Sequence, residues 1–408
     1  MRRLLYTFSI IAASMFWCLS SSAAQNIATG ADRTDLYLPL FKSKRIALVI
    51  NHTSVVKRNN GSFCPLPDTL LRRGVDVACI MAPEHGYQGT ADAGAHVANS
   101  SDGETGLPIY SLYGKNKKPR AEWLENIDLV VFDMQDVGAR FYTYLSTLYY
   151  LIEACGEQQK PLVILDRPNP NDTIDGPTRD KVHHSFVGIV GIPLLHGCTL
   201  GELAEMICGE RWVATIPPSL TVIKCLGWQH GTSYEVPIAP SPNLPNAHAI
   251  ALYPSLCLLE ATEVSVGRGT PFPFQVYGHP DIKSDFCFTP RSSQSNKHPL
   301  QENKECRGQD LRAKPAPRGF SLFFLMDVAR SLGKGWITSP RFFDLLAGNS
   351  ILREQIDSGL SADSIRQSWQ ADLQKFRTIR NKYLLYEDYP TTQIWTSLTE
   401  QASVSQQP

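Results

Sequence analysis

The sequence predicts an α/β protein, a doubly wound parallel sheet with a second, smaller domain. Apolar runs of strand length alternate with stretches of helical spacing, as strands buried on both faces and joined by crossover helices do. Each run stops in a cluster of polar residues. The chain is 408 residues long, more than one ordinary domain needs and comfortable for two.

Residues 1–24 read as a secretory leader: Arg2 and Arg3, an apolar run from Leu4 to Leu19, then the small residues Ser22 and Ala24. Cleavage is expected after Ala24, giving a periplasmic or secreted protein. Cys18 follows Phe16 and Trp17, where a lipoprotein signal wants small residues, so a lipid anchor is the lesser alternative. No later run approaches the roughly 20 apolar residues of a membrane-spanning helix.

Arg45 to Asn51 is the first strand, ending in Asn51, His52, Thr53 and Ser54. Leu66 to Arg73 forms a short helix closed by Gly74, and Val75 to Ile80 is the next strand, running into Met81-Ala82-Pro83-Glu84-His85-Gly86. Ile127 to Asp133 is a third, ending in Asp133, Gln135 and Asp136. A helix from Tyr144 to Gln158 leads to a fourth, Pro161 to Leu165, which ends in Asp166-Arg167-Pro168-Asn169-Pro170-Asn171. The prolines of Ala239-Pro240-Ser241-Pro242-Asn243-Leu244-Pro245 suit a linker or a rigid wall and divide the mature chain into domains 25–238 and 239–408. Residues 290–316 look loop-like, and helical spacing resumes from Phe320 to Leu332. In a parallel sheet the polar clusters lie along one edge, where ligands bind, so residues far apart in sequence converge there.

The composition narrows the chemistry. A net charge of zero gives no electrostatic reason to expect nucleic acid. Nine cysteines beyond the leader are scattered, with no C-x-x-C pair and no support for structural zinc; Cys79 and Cys155 read as small buried hydrophobes. The glycine-rich dinucleotide fingerprint, the P-loop, the G-x-S-x-G elbow and H-E-x-x-H are all missing. No cofactor or metal is expected. Carboxylates, arginines, asparagines and tyrosines remain, the set from which sugar sites are built.

Each candidate has a plainer reading. Glu84 could cap a turn, but a strand end beside His85 is a ligand-binding position. His85 could equally orient Glu84 or a ligand. Asp136 could cap the helix that follows. Arg140 and Tyr142, polar residues in an aromatic stretch, either pair inside the fold or meet a ligand carboxylate. Arg167 could be held by Asp166 at a proline-stiffened corner, with Asn169 contacting ligand. Glu260 and Arg268 could be an ordinary surface ion pair.

MAPEHGYQGTADAG, TGLPIYSLYGKNKKP, DLVVFDMQDVGARFYTYLSTLYY, VILDRPNPN, IPLLHGCTLGELA, SPNLPN and LYPSLCLLEATEVSVGRGTPFPF resemble, in this order, the NamZ-type bacterial exo-β-N-acetylmuramidases. The resemblance implies a Rossmann-like N-terminal domain, a smaller α+β C-terminal domain and an active site in the cleft between them. It implies an enzyme that removes N-acetylmuramic acid from the non-reducing ends of peptidoglycan fragments. Carried over, the family's acidic loop falls on Glu84 and His85, its aromatic-arginine segment on Gln135, Asp136, Arg140 and Tyr142, and its corner on Arg167 and Asn169. The second-domain pair falls on Glu260 and Arg268, and Asn51 and Asn243 complete the substrate-binding set. Where relatives tend to carry an acid, this chain has Val266, with Glu263 nearby.

Muramic acid bears a lactyl ether ending in a carboxylate, so selectivity for it calls for a cation: Arg140, Arg167 or Arg268. The loop between Ala91 and Lys118 is long enough to wall off a blind pocket. Glu84 is expected to protonate the leaving oxygen, with Asp136 and Glu260 as the other acids. The rivals are a non-catalytic muropeptide binder and a metal-dependent amidase using His85, His183, His184 or His196, whose spacing is not that of metal ligands.

Overall fold

The computed structural model describes residues 27–91, 94, 98–293 and 296–388. The predicted leader and Cys18 lie outside these.

Seven strands form the main sheet, in the order Leu220–Ile223, Leu162–Leu165, Leu129–Asp133, Arg45–Ile50, Asp76–Ala82, Pro108–Ser111, Ser100–Ser101. All neighbours are parallel except the last pair. The apolar runs are continuous because both faces are covered. Ala47 and Val49 face the larger core beneath helices Tyr144–Glu157 and Leu200–Gly209, while Ile46, Leu48 and Ile50 face the core under helices Thr34–Phe41 and Leu66–Arg72. The chain builds outward from Arg45–Ile50 on one side, then returns to lay Leu129–Asp133 on the other. The strand order therefore reverses between these two strands, and the loops beginning at Asn51 and Asp133 flank the switch point.

The smaller part carries an antiparallel sheet ordered Val276–His279, Cys306–Asp310, Cys287–Phe288 and the helices from Phe323–Leu332 to Gln370–Arg380. Residues 290–316 are therefore not all loop. Cys306–Asp310 lacks apolar alternation because its pairing relies on close backbone approach: a Cβ on Gly308 would stand 2.0 Å from the Tyr277 carbonyl oxygen. The next helix begins at Phe323 rather than Phe320. The stretch between Ala91 and Lys118 also holds structure, since it supplies the Ser100–Ser101 and Pro108–Ser111 strands at the sheet edge.

From the end of the last helix onward the chain docks back onto the first part. The Tyr386 hydroxyl donates to Asp166 Oδ2 at 2.6 Å, the Leu385 N–H to Glu202 Oε1 at 3.0 Å, and Arg380 Nε to the Gly197 carbonyl at 2.8 Å. The nine cysteines at described positions are free thiols; Cys79 and Cys155 are buried, and burial pushes the Cys79 thiol up to about 11.

Candidate functional site

At the switch point the Asn51 loop holds the Asp133 loop. Asn51 Oδ1 accepts from the Thr53 N–H at 3.0 Å and hydroxyl at 2.6 Å, and the Thr53 hydroxyl accepts from the Gln135 N–H at 3.0 Å. Asn51 Nδ2 donates to the Tyr144 hydroxyl at 2.7 Å. The Tyr144 and Tyr142 hydroxyls both donate to the Pro240 carbonyl at 3.1 Å, and His52 Nε2 lies 2.7 Å from the Ala239 carbonyl oxygen. The proline-rich segment is thus a wall fixed to the strand ends. Burial lowers the His52 pKa.

Asp136 is buried in this frame. Its Oδ1 accepts from the Gly138 N–H at 2.7 Å, while Oδ2 has no protein partner. Burial pushes its carboxyl up to about 7, against the opposing pull of the Gly138 and Val137 N–H groups. Gln135 donates to the Asp136 and Pro168 carbonyls at 2.8 and 2.9 Å and keeps Oε1 unpartnered. His52 Nδ1 and Asn243 Nδ2 are likewise buried and unpartnered. Unpaired polar atoms are rare inside proteins, and Asp136 Oδ2 and Gln135 Oε1, on adjacent residues at the end of Leu129–Asp133, are two of them at the switch point.

Glu84 stands half-buried at the neighbouring strand end. The Thr143 hydroxyl donates to Oε2 at 2.7 Å and the Gly94 N–H to Oε1 at 3.1 Å; burial, reinforced by the nearby Glu84 charge, raises the pKa of the Tyr113 phenol. The next residue, His85, has a φ of 68°, a left-handed conformation unusual outside glycine, and its Nδ1 lies 2.7 Å from the Ala91 carbonyl oxygen. His85 therefore pins the glycine-rich loop. Gly89 is required where that loop crosses His52, since a Cβ would meet the imidazole at 2.0 Å.

The arginines separate. Arg140 is fully buried and donates to the Pro177, Ile192 and Leu346 carbonyls at 2.7–2.9 Å, so it staples the fold and presents no face to a ligand carboxylate. Burial lowers its pKa to about 9. Arg167 is held by Asp133, with Nη2 to Oδ2 at 2.9 Å, and not by Asp166, whose oxygens accept from Thr199, Gly201 and Tyr386. Burial works against the Arg167 charge, and the Asp133 carboxylate more than offsets it. Asn169 donates to the Cys198 carbonyl at 3.0 Å and accepts from the Asn171 N–H at 2.9 Å, which makes it a corner brace. Arg268 alone of the three keeps substantial exposure, 20% of its side chain. Its Nε donates to Glu260 Oε1 at 2.6 Å and its guanidinium lies 5.2 Å from the Phe274 ring centre. Tyr253 joins this pair to the first domain, with its ring 6.0 Å from that of Tyr142 and 4.9 Å from that of Phe274. Val266 is buried in the core and Glu263 is exposed.

Sequence reasoning passed over Tyr113, Thr143, Tyr144 and Tyr253; the hydroxyl-bearing run Tyr142-Thr143-Tyr144 next to Asp136 was the available signal. The histidines considered as metal ligands are not assembled: His183 pairs with Asp180 at 2.8 Å, His184 is exposed and His196 is buried. Among the described residues no group of three or more His, Cys, Asp or Glu side chains is placed to hold a metal.

A buried acid with a raised pKa and a half-buried second carboxyl stand among amides and phenols near the switch point of a doubly wound sheet, groups that acid–base chemistry on a hydroxyl-rich ligand would need. The chain belongs to the NamZ exo-β-N-acetylmuramidase family. The family's N-terminal profile matches residues 46–248 and its C-terminal profile residues 251–386. The chain is 37% identical over 380 residues to the peptidoglycan β-N-acetylmuramidase NamZ of Bacillus subtilis, covering 86% of this chain and 89% of the relative. Crystal structures of two DUF1343 family proteins from Bacteroides fragilis share the fold, with TM-scores of 0.82 and 0.76 at 44% and 28% identity; each match covers 89% of this chain and all of the other.

Proposed function

We propose that this chain is an exo-acting glycoside hydrolase that releases N-acetylmuramic acid from the non-reducing ends of peptidoglycan fragments in cell-wall turnover. The observation that carries the reading is the match to both NamZ profiles, together spanning nearly all of the described chain. Glycoside hydrolysis needs a proton for the leaving oxygen and either a second carboxylate or the substrate's own acetamido group. Glu84, half-buried and oriented by the Thr143 hydroxyl and the Gly94 N–H, supplies the proton. Asp136 supplies the second carboxyl, acting in its ionised form. The sugar lies where the strand ends meet the Ala239–Asn243 wall and the Glu260–Arg268 pair, between domains 25–238 and 239–408. The non-catalytic binder gives no role to the raised pKa of the buried Asp136 carboxyl, whose Oδ2 has no protein partner, and the amidase lacks a ligand set among the described residues.

Arg268, oriented by Glu260, receives the lactyl carboxylate. A β-N-acetylmuraminide is expected to turn over roughly 10² faster than the matched N-acetylglucosaminide, because the glucosaminide lacks the carboxylate that the Arg268 guanidinium can bind in addition to Glu260, and Arg268→Gln should narrow the gap. Equal rates on the two sugars in the wild type contradict the reading.

The substrate class fits export, with the mature chain beginning at Gln25. N-terminal sequencing of protein recovered outside the cytoplasm checks this; an intact leader or a lipidated Cys18 contradicts it.

A further inference from the structure

Beyond Glu84 lies a run of aromatic side chains that the catalytic assignment does not use. Tyr113, near enough to Glu84 for the two to interact electrostatically, meets Phe186 with ring centres 6.0 Å apart. Phe186 lies nearly parallel to Tyr150 at 6.3 Å and 17°, and Tyr150 meets Tyr149 at 5.6 Å. Lys117 Nζ stands 4.6 Å from the centre of the Phe186 ring. These rings come from three places: the loop after Pro108–Ser111, the helix Tyr144–Glu157, and the segment around Phe186. The last is tied to the helix by the Ser146 hydroxyl, which donates to the Phe186 carbonyl at 2.6 Å. Tyr113, Lys117, Tyr149, Tyr150 and Phe186 are all only half-buried, unlike the core aromatics. Tyr149 also lines an open concavity of about 340 Å³ with Arg179, His184 and Trp212.

We infer that the Tyr113–Phe186–Tyr150 run, with Lys117, is the subsite for the leaving glycan chain. The inference rests on the muramidase reading and deepens it. A general acid touches the leaving oxygen, so the departing sugar lies on the Glu84 side, and Tyr113 and Phe186 are the groups continuous with that side. A pyranose presents apolar C–H faces that cover aromatic rings, and ring burial stabilises the complex without demanding one hydroxyl pattern. The departing chain also carries carboxylates on its own muramic acid residues. Lys117, a point cation lying over the Phe186 ring, is complementary to them.

The test compares two substrates: an aryl β-N-acetylmuraminide, which has no leaving sugar, and a tetrasaccharide with a non-reducing muramic acid end. Phe186→Ala is expected to lose roughly tenfold more kcat/KM on the tetrasaccharide than on the aryl substrate, chiefly through KM. Phe186→Tyr should recover most of the loss. Lys117→Gln should raise KM for the tetrasaccharide more than for the same chain with its internal carboxylate amidated. Equal losses on both substrates, or none on either, overturn the subsite. If the wild type frees muramic acid from neither substrate, the muramidase reading itself fails and the subsite falls with it.

Discussion

Asp136→Asn is expected to lower turnover by a factor on the order of 10² to 10⁴, while the protein becomes more stable at alkaline pH. Asn keeps the acceptor for the Gly138 N–H but carries no charge. Burial sets the Asp136 pKa at about 7, well above the 3.8 of an exposed aspartate. Between those values the folded chain holds a proton that the unfolded chain has released. The stability tied to that proton is fully present below about pH 4, and it is lost as pH rises through 7. The wild type therefore loses more stability than Asp136→Asn between pH 5 and 8, by roughly 2.5 kcal/mol at the upper bound and less once the site relaxes. Because the ionised form does the chemistry, wild-type kcat/KM should rise with pH through a limb near 7, and the residual activity of the variant should lack that limb. Urea melts at the two pH values and a pH–rate profile check both halves. Normal turnover in Asp136→Asn would leave Asp136 as a cap on the Val137-Gly138 turn and nothing more.

An acid placed between Gln135 and Val137 in a buried loop is locally unfavourable, and the proposed catalytic role would offset that cost. The frame around it was legible because its signals are local. Arg45–Ile50 and Leu129–Asp133 announce themselves as strands buried on both faces, and the polar residues at their ends follow from the topology. Arginine roles were not legible. Arg140 and Arg167 stand in motifs as distinctive as any, yet both are absorbed by the fold, Arg140 by three backbone carbonyls and Arg167 by Asp133. A backbone carbonyl leaves no trace in side-chain pattern, and Asp133 and Asp166 are equivalent guesses until the sheet order is known. The same blindness hid the role of Pro240, whose carbonyl gathers Tyr142 and Tyr144. Cys306–Asp310 escaped notice because Gly308 makes its pairing tolerable where no apolar alternation does.

The acid just beyond the Asp76–Ala82 strand, Glu84, is expected to give its proton to the leaving oxygen. Glu84→Gln keeps the size of the side chain and can still accept from Thr143, but it has no proton to supply. The decisive measurement is the ratio of kcat/KM for wild type and Glu84→Gln on two muraminides, one with a sugar leaving group and one with an activated aryl leaving group. On the sugar, a loss on the order of 10² to 10⁴ is expected with binding retained. On the aryl substrate, whose leaving group needs little protonation, the loss should be far smaller when cleavage of the glycosidic bond is the observed step. Near-normal turnover on the sugar substrate, or losses of equal size on both, would contradict the assignment and leave Pro83-Glu84-His85-Gly86 as a turn that shapes the pocket.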